Sequence, residues 1–139
     1  MVSSKDLSVE IPAQVSDSEV IYYIESKNVG TSHVEQLKSI SASTDKTISE
    51  WFDVSEKTLQ SYRKKSVKLS SHFKEKLVLL ISLYNQGIQV LGSKEAFRTW
   101  LEKPNFHFDN QAPIEFFTTI SGIRYIQDRL VGMEYGDNA

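Results

Sequence analysis

The sequence predicts an all-α fold of about seven helices. Three observations carry that expectation. Apolar residues recur at spacings of three and four along most of the chain. Ser and Thr stand just ahead of those stripes, where helix N-caps are needed. No stretch alternates apolar and polar residues in the way a half-buried strand requires. With 139 residues, 40% of them hydrophobic and 24% charged, the chain is long enough to bury its own core.

Residues 1–15 are polar and aperiodic around Pro12 and are expected to form a flexible leader. Ser16 followed by Glu19 is a capping-box pattern, and Val20, Ile21, Tyr23 and Ile24 give the first helix its stripe, with Gly30 as its stop. A second helix is predicted from about 32 to 41, facing inward through Val34, Leu37, Ile40 and Ser41. After a Ser/Thr-rich break, a third covers about 45–52 with Ile48, Trp51 and Phe52 on its apolar side. Ser55 is a suitable N-cap for the fourth, Glu56 suits its positive end, and Leu59 and Tyr62 point inward before it ends near Lys65. Ser70 or Ser71 caps the fifth, the strongest helical signal in the chain, carrying Phe73, Leu77, Leu80, Ile81, Tyr84, Ile88 and Leu91. Gly87 inside that stripe marks a bend or a close helix contact. Ser93 starts the sixth helix, and Pro104 closes it. Pro113 fits the first turn of a short helix, and Thr119 caps the last, with Ile123, Ile126 and Leu130 on one face and Gly132 and Gly136 loosening its end.

Several function classes fall away. The absence of Cys excludes a disulfide scaffold, a Cys-type zinc site and a thiol nucleophile. The three His residues share no metal-ligand spacing, the Gly residues stand singly rather than in a phosphate loop, and no Ser sits in a nucleophile elbow. The reading is therefore a non-enzyme without catalytic residues, metal or cofactor. The longest aliphatic run, residues 77–81, is too short to span a membrane, and no signal-peptide stretch follows Met1, so the expected location is the cytoplasm.

Net charge is −2, but its distribution is uneven. Residues 55–76 hold seven basic and two acidic side chains, a basic island in an otherwise acidic chain. The island begins where a short turn at Asp53-Val54 separates the third and fourth helices, the length pattern of a helix-turn-helix. In such a pair the second helix lies in the major groove and its first residues meet base edges. Here Ser55, Lys57, Thr58, Gln60 and Ser61 take that place, and Arg63, Lys64 and Lys65 follow as phosphate contacts. A solvated basic helix face is the plain alternative. An operator with two-fold symmetry would call for a homodimer.

The C-terminal third carries a more specific pattern. Gly92, Ala96, Trp100, Leu101, Pro104 and Asn105, then Pro113-Ile114, Thr119 with Gly122, and Leu130 with Tyr135-Gly136 together resemble the toxin-binding domain of Xre/MbcA/ParS-type antitoxins. Upstream, Val54-Ser55-Glu56-Lys57-Thr58-Leu59 resembles the start of that family's recognition helix, with Lys57 where Arg is usual, and Leu69-Ser70 resembles the step before its long helix. The resemblance covers about residues 17–137. Beyond the leader at 1–15, which lies outside it, it implies an Xre-like helix-turn-helix DNA-binding and dimerisation domain at 16–91, and a small helical toxin-binding domain with a C-terminal tail at 92–139. It also implies an antitoxin of a type II toxin–antitoxin system. Such an antitoxin would occlude the active site of a cognate RES-domain toxin that depletes NAD, and would repress its own operon. Trp100 and Leu101 read as packing. The exposed candidates for toxin contact are Arg98, Asn105, Arg124, Arg129, Tyr135, Gly136 and Asp137. A stand-alone transcription regulator and an interaction module without DNA binding remain the alternatives.

Overall fold

The computed structural model describes residues 10–26, 28–64 and 67–137. Over these residues it is all-α, as the sequence predicts, with seven α-helices: α1 (Asp17–Glu25), α2 (Thr31–Ser41), α3 (Asp45–Phe52), α4 (Glu56–Lys64), α5 (Ser71–Leu91), α6 (Lys94–Glu102) and α7 (Ile120–Glu134). Two short 3-10 helices, Phe106–Phe108 and Pro113–Phe116, lie between α6 and α7. The described residues form no strand, only one isolated bridge between Asn105 and Gln111.

The predicted caps set the helix starts. Ser16 and Glu19 close a reciprocal capping box on α1. The hydroxyls of Ser55, Ser70, Ser93 and Thr119 each accept from the backbone N–H three residues on, at 2.9–3.1 Å. Gly30 departs from its expected role: α1 ends at Glu25, and Gly30 is the N-cap of α2. Its N–H donates to Nδ1 of the buried His33, a satisfied core histidine.

The central α5 packs against α1, α2, α6 and α7. Leu77, Val78, Leu79, Leu80, Ile81 and Leu83 are all buried on it, so α5 is surrounded rather than amphipathic over this stretch. At Gly87 the packing is closest: a Cβ there would stand 2.3 Å from the Phe97 ring of α6. Gly87 therefore marks the close helix contact, the second of its two predicted meanings. Trp51 of α3 meets Phe117 edge-on with ring centroids 4.9 Å apart, and Tyr84 of α5 meets Phe97 at 5.3 Å. One core thus runs through both predicted domains.

The leader expectation needs correcting over residues 10–15. Ile11 and Val15 are buried in the core. Asn85 Nδ2 donates to the Ile11 carbonyl at 2.8 Å, Arg124 to the Val15 carbonyl at 3.1 Å, and Gln14 Nε2 to Glu134 at 3.0 Å. Two apolar residues four apart dock this segment along α5 and α7, although Pro12 removes the periodic signal that would have announced it. The rest of the leader lies outside the described residues.

The end of α7 is also tighter than its glycines imply. Gly136 has φ +96°, its N–H donates to the Met133 carbonyl, and the Asp137 N–H reaches back to the Gly132 carbonyl, each at 3.1 Å. This is a Schellman termination with Gly136 at C′, the position that requires a left-handed residue. A Cβ on Gly132 would meet the Asp137 carboxylate at 2.5 Å. Both glycines therefore let the chain fold back over α7 instead of loosening it.

Candidate functional site

The α3–α4 pair is joined by Asp53, Val54 and Ser55. Asp53 takes the left-handed conformation at φ +53°, and Val54 N–H returns to the Ser49 carbonyl at 3.1 Å, so α3 ends sharply and α4 starts at once. Leu59 is buried and Tyr62 packs edge-on against Phe73 at 5.0 Å, which fixes the inner face of α4.

The outward residues divide into two groups. Lys57 and Lys64 are exposed, as is Lys68 beyond the helix. Ser55 and Thr58 are engaged with one another at the cap, Oγ to Oγ1 at 2.9 Å, and Ser61 donates to the Thr58 carbonyl at 2.8 Å. Gln60 is half-buried and bonds toward Asp45. Lys65 lies outside the described residues.

Arg63 is the main departure from the sequence reading, which assigns it to phosphate. Its Nε donates to Glu35 of α2 and its Nη1 to both carboxylate oxygens of Asp45 of α3, at 2.5 and 2.6 Å. Lys38 of α2 donates to the same Asp45 at 2.9 Å. One guanidinium thus ties α4 to α2 and α3. The Lys38 hydrogen bond, helped by the Arg63 charge, holds the Asp45 carboxyl below the usual carboxylate range. The Glu35 bond raises the Arg63 guanidinium further.

Two more cations of the basic island also turn inward. Lys74 donates to the Ser26 carbonyl at 3.1 Å. Lys76 is only 4% exposed and donates to the carbonyls of Trp51 at 2.8 Å and Thr118 at 2.7 Å. The first is an orphan carbonyl at the negative end of α3, and the second immediately precedes the cap of α7. Burial pushes the Lys76 ammonium down from its ordinary value, against the opposing pull of Asp53. Beside it, a pocket of about 360 Å³ opens between Asp53, Tyr62, Ser70 and Phe73. The island is therefore partly an internal brace: Arg63, Lys74 and Lys76 hold the fold, whereas Lys57, Lys64 and Lys68 face solvent.

In the C-terminal part, the motif residues are scaffold. Phe97 and Leu101 of α6 are buried and Trp100 nearly so. Pro113 is buried at the first position of its 3-10 turn. A Cβ on Gly122 would lie 2.2 Å from the Phe116 carbonyl, so the glycine lets α7 start against the preceding turn. Residues 86–136 match the family model of the antitoxin Xre/MbcA/ParS C-terminal toxin-binding domain. This segment is similar to an antitoxin toxin-binding domain. No curated protein matches the chain.

The matched segment begins within α5, so Gly87 and its contact with Phe97 belong to it. Its expected contact residues divide as the basic island does. Arg98 is exposed and forms an i,i+4 pair with Glu102 at 3.3 Å. Tyr135 is 85% exposed, and Gly136 and Asp137 are open beside it. Asn105 Oδ1 accepts from His107 N–H and shapes the following 3-10 turn. Arg124 clamps Asp17, the Val15 carbonyl and Gln127. Arg129 is mostly covered and lies 3.7 Å from Asp137. Sequence reasoning leaves Phe106 out of its contact residues, yet it is 83% exposed in the same segment. Its signal was available in the sequence as an aromatic among polar loop residues.

Among the described residues, no group of three or more His, Cys, Asp or Glu is placed to hold a metal ion. Among them, too, no helix is long and apolar enough to cross a membrane.

Proposed function

We propose that this chain is the antitoxin of a type II toxin–antitoxin pair, and that its partner is a RES-domain toxin that depletes NAD. The observation that carries this reading is the toxin-binding domain at 86–136. Neutralisation is steric: α6, the 105–111 loop and the end of α7 cover the toxin's substrate cleft. The exposed Arg98, Tyr135 and Asp137 are the contacts kept from the sequence reading, while Arg124 and Arg129 support the fold from within. The α3–α4 pair works as a helix-turn-helix, and a homodimer of the chain represses its own operon in the cytoplasm.

The experiment is expression of the neighbouring gene product in a bacterial host, alone and with this chain, following growth, NAD and co-purification. Growth arrest with NAD loss, relieved by a stable complex, is the expected result. An absence of toxicity and of complex overturns the reading.

A second reading is favoured by the inward turn of Arg63, which leaves Lys57 and Lys64 as the exposed cations of α4, while Lys74 and Lys76 of α5 also turn inward. In that reading the chain is an interaction module without DNA binding. A salt titration of operator binding separates the two. If Lys57 and Lys64 touch phosphate, replacing either by Ala lowers the steepness of log K against log salt by about 0.9 for each phosphate no longer neutralised. Operator affinity and slope that both variants leave unchanged remove α4 from the interface.

A further inference from the structure

The loop between α6 and the second 3-10 turn is closed on itself. Asn105 N–H donates to the Gln111 carbonyl at 3.0 Å, and the Asn105 carbonyl accepts from Phe108 and Asn110, each at 2.9 Å. Asp109 and Asn110 are consecutive non-glycine residues in the left-handed region, at φ +54° and +62°. Such a pair persists only where the surroundings over-determine it, and strained turns of this kind cluster at functional positions. Below the loop, Phe108 is buried against Trp100, Phe116 and Tyr125. From the side, the Tyr125 hydroxyl of α7 donates to the His107 carbonyl at 2.6 Å.

All of this holds one ring in water. Among the described residues, Phe106 and Tyr135 are the large apolar side chains most open to solvent, at 83% and 85%. Tyr135 carries a hydroxyl that water can satisfy, whereas Phe106 has no polar side-chain atom. Its exposure brings nothing to the core, which already has Phe108 two residues on. A rigid aromatic loses little freedom on docking, and buried aromatic anchors carry a large share of interface energy. Residues 105–111 contain no Lys or Arg to meet an acidic partner and one exposed carboxylate, Asp109, so the apolar complement is called for by the Phe106 ring itself.

We infer that Phe106 is the anchor by which the toxin-binding domain engages its toxin, inserting into an apolar pocket of that partner, and that the 105–111 loop sets which toxin is recognised. The inference rests on the antitoxin reading above. Its test titrates the full chain against the toxin encoded beside it, comparing wild type, Phe106→Ala, Phe106→Trp and Tyr125→Phe. Phe106→Ala is expected to weaken the complex by at least about thirtyfold, through a faster off-rate. That ratio stays the same at low and high salt, because no charge is removed. Phe106→Trp keeps binding within about threefold, as an aromatic anchor allows. Tyr125→Phe, which frees the loop but keeps the ring, weakens binding less than Phe106→Ala does. Both Phe106 variants melt with the wild type to within about 2 °C, since surface substitutions of this kind change stability little, whereas Tyr125→Phe gives up one hydrogen bond and melts about 4 °C lower. A Phe106→Ala chain that binds as tightly as a binding wild type overturns the anchor and leaves the antitoxin reading standing. A wild type that binds no toxin overturns both.

Discussion

Replacing Arg63 by Ala separates a structural brace from a DNA contact. The side chain is 23% exposed and reaches Asp45, 14% exposed, and Glu35, 50% exposed. The paired bond to Asp45 is charge-assisted and largely shielded, worth about 1.5–3 kcal/mol net. The Glu35 bond sits in water and adds about 0–1 kcal/mol. Lys38 keeps Asp45 paired after the substitution, so no buried charge is orphaned and the larger penalty of a broken buried ion pair does not apply. The expected loss is about 2 kcal/mol, or roughly 8 °C in Tm at this chain length. The assay is thermal unfolding by circular dichroism at pH 7, repeated at falling pH. The folded-state pKa of Asp45 lies below its ordinary value of 3.8, so its contribution is complete above 3.8 and is lost as pH falls through the folded value. The difference between wild type and variant must shrink in that acid window. A variant that melts within about 2 °C of wild type at pH 7, yet binds operator with a shallower salt slope, would refute the brace and return Arg63 to the DNA.

Two further perturbations test other joints. Gly87→Ala places a methyl 2.3 Å from the Phe97 ring, and the overpacking cost of about 1–3 kcal/mol exceeds the roughly 1 kcal/mol gained in helix propensity. A lower denaturant midpoint checks the sign. Lys76 has a folded pKa below its ordinary 10.5, so just under 10.5 the unfolded chain holds a proton that the folded chain has released, and stability rises with pH there. Buried Tyr84 acts oppositely above its ordinary 10.0, because its folded pKa is raised. The wild-type stability curve minus that of Lys76→Met therefore isolates the Lys76 rise, and a difference that stays flat as pH rises to 10.5 refutes the buried ammonium.

The helices and their starts are legible because local chemistry decides them. Ser16, Ser55, Ser70, Ser93 and Thr119 each satisfy orphan N–H groups of the turn that follows, an interaction confined to a few residues. Gly30 is ambiguous because a glycine between two helices serves the end of one as readily as the start of the next. Ile11 and Val15 escape sequence reading because a docked non-helical segment has no helical period to detect. The glycines at 132 and 136 look like loosening until the hydrogen bonds of the chain end give them a geometry.

By itself the sequence determined the helix pattern, the caps, the scaffold role of Trp100 and Leu101, and the C-terminal part of the resemblance, which the match at 86–136 bears out. Each depends on residues close together in the chain. Only the tertiary structure decided the fate of the charges. Lys57 and Arg63 sit on one helix and read alike in sequence, yet one faces water and the other meets Glu35 and Asp45, 28 and 18 positions away. Lys76 reads as one more cation of a basic island, but it lies buried between carbonyls from α3 and the cap of α7. A charge acts through space, and the distances that set its partners exist only once the chain has folded.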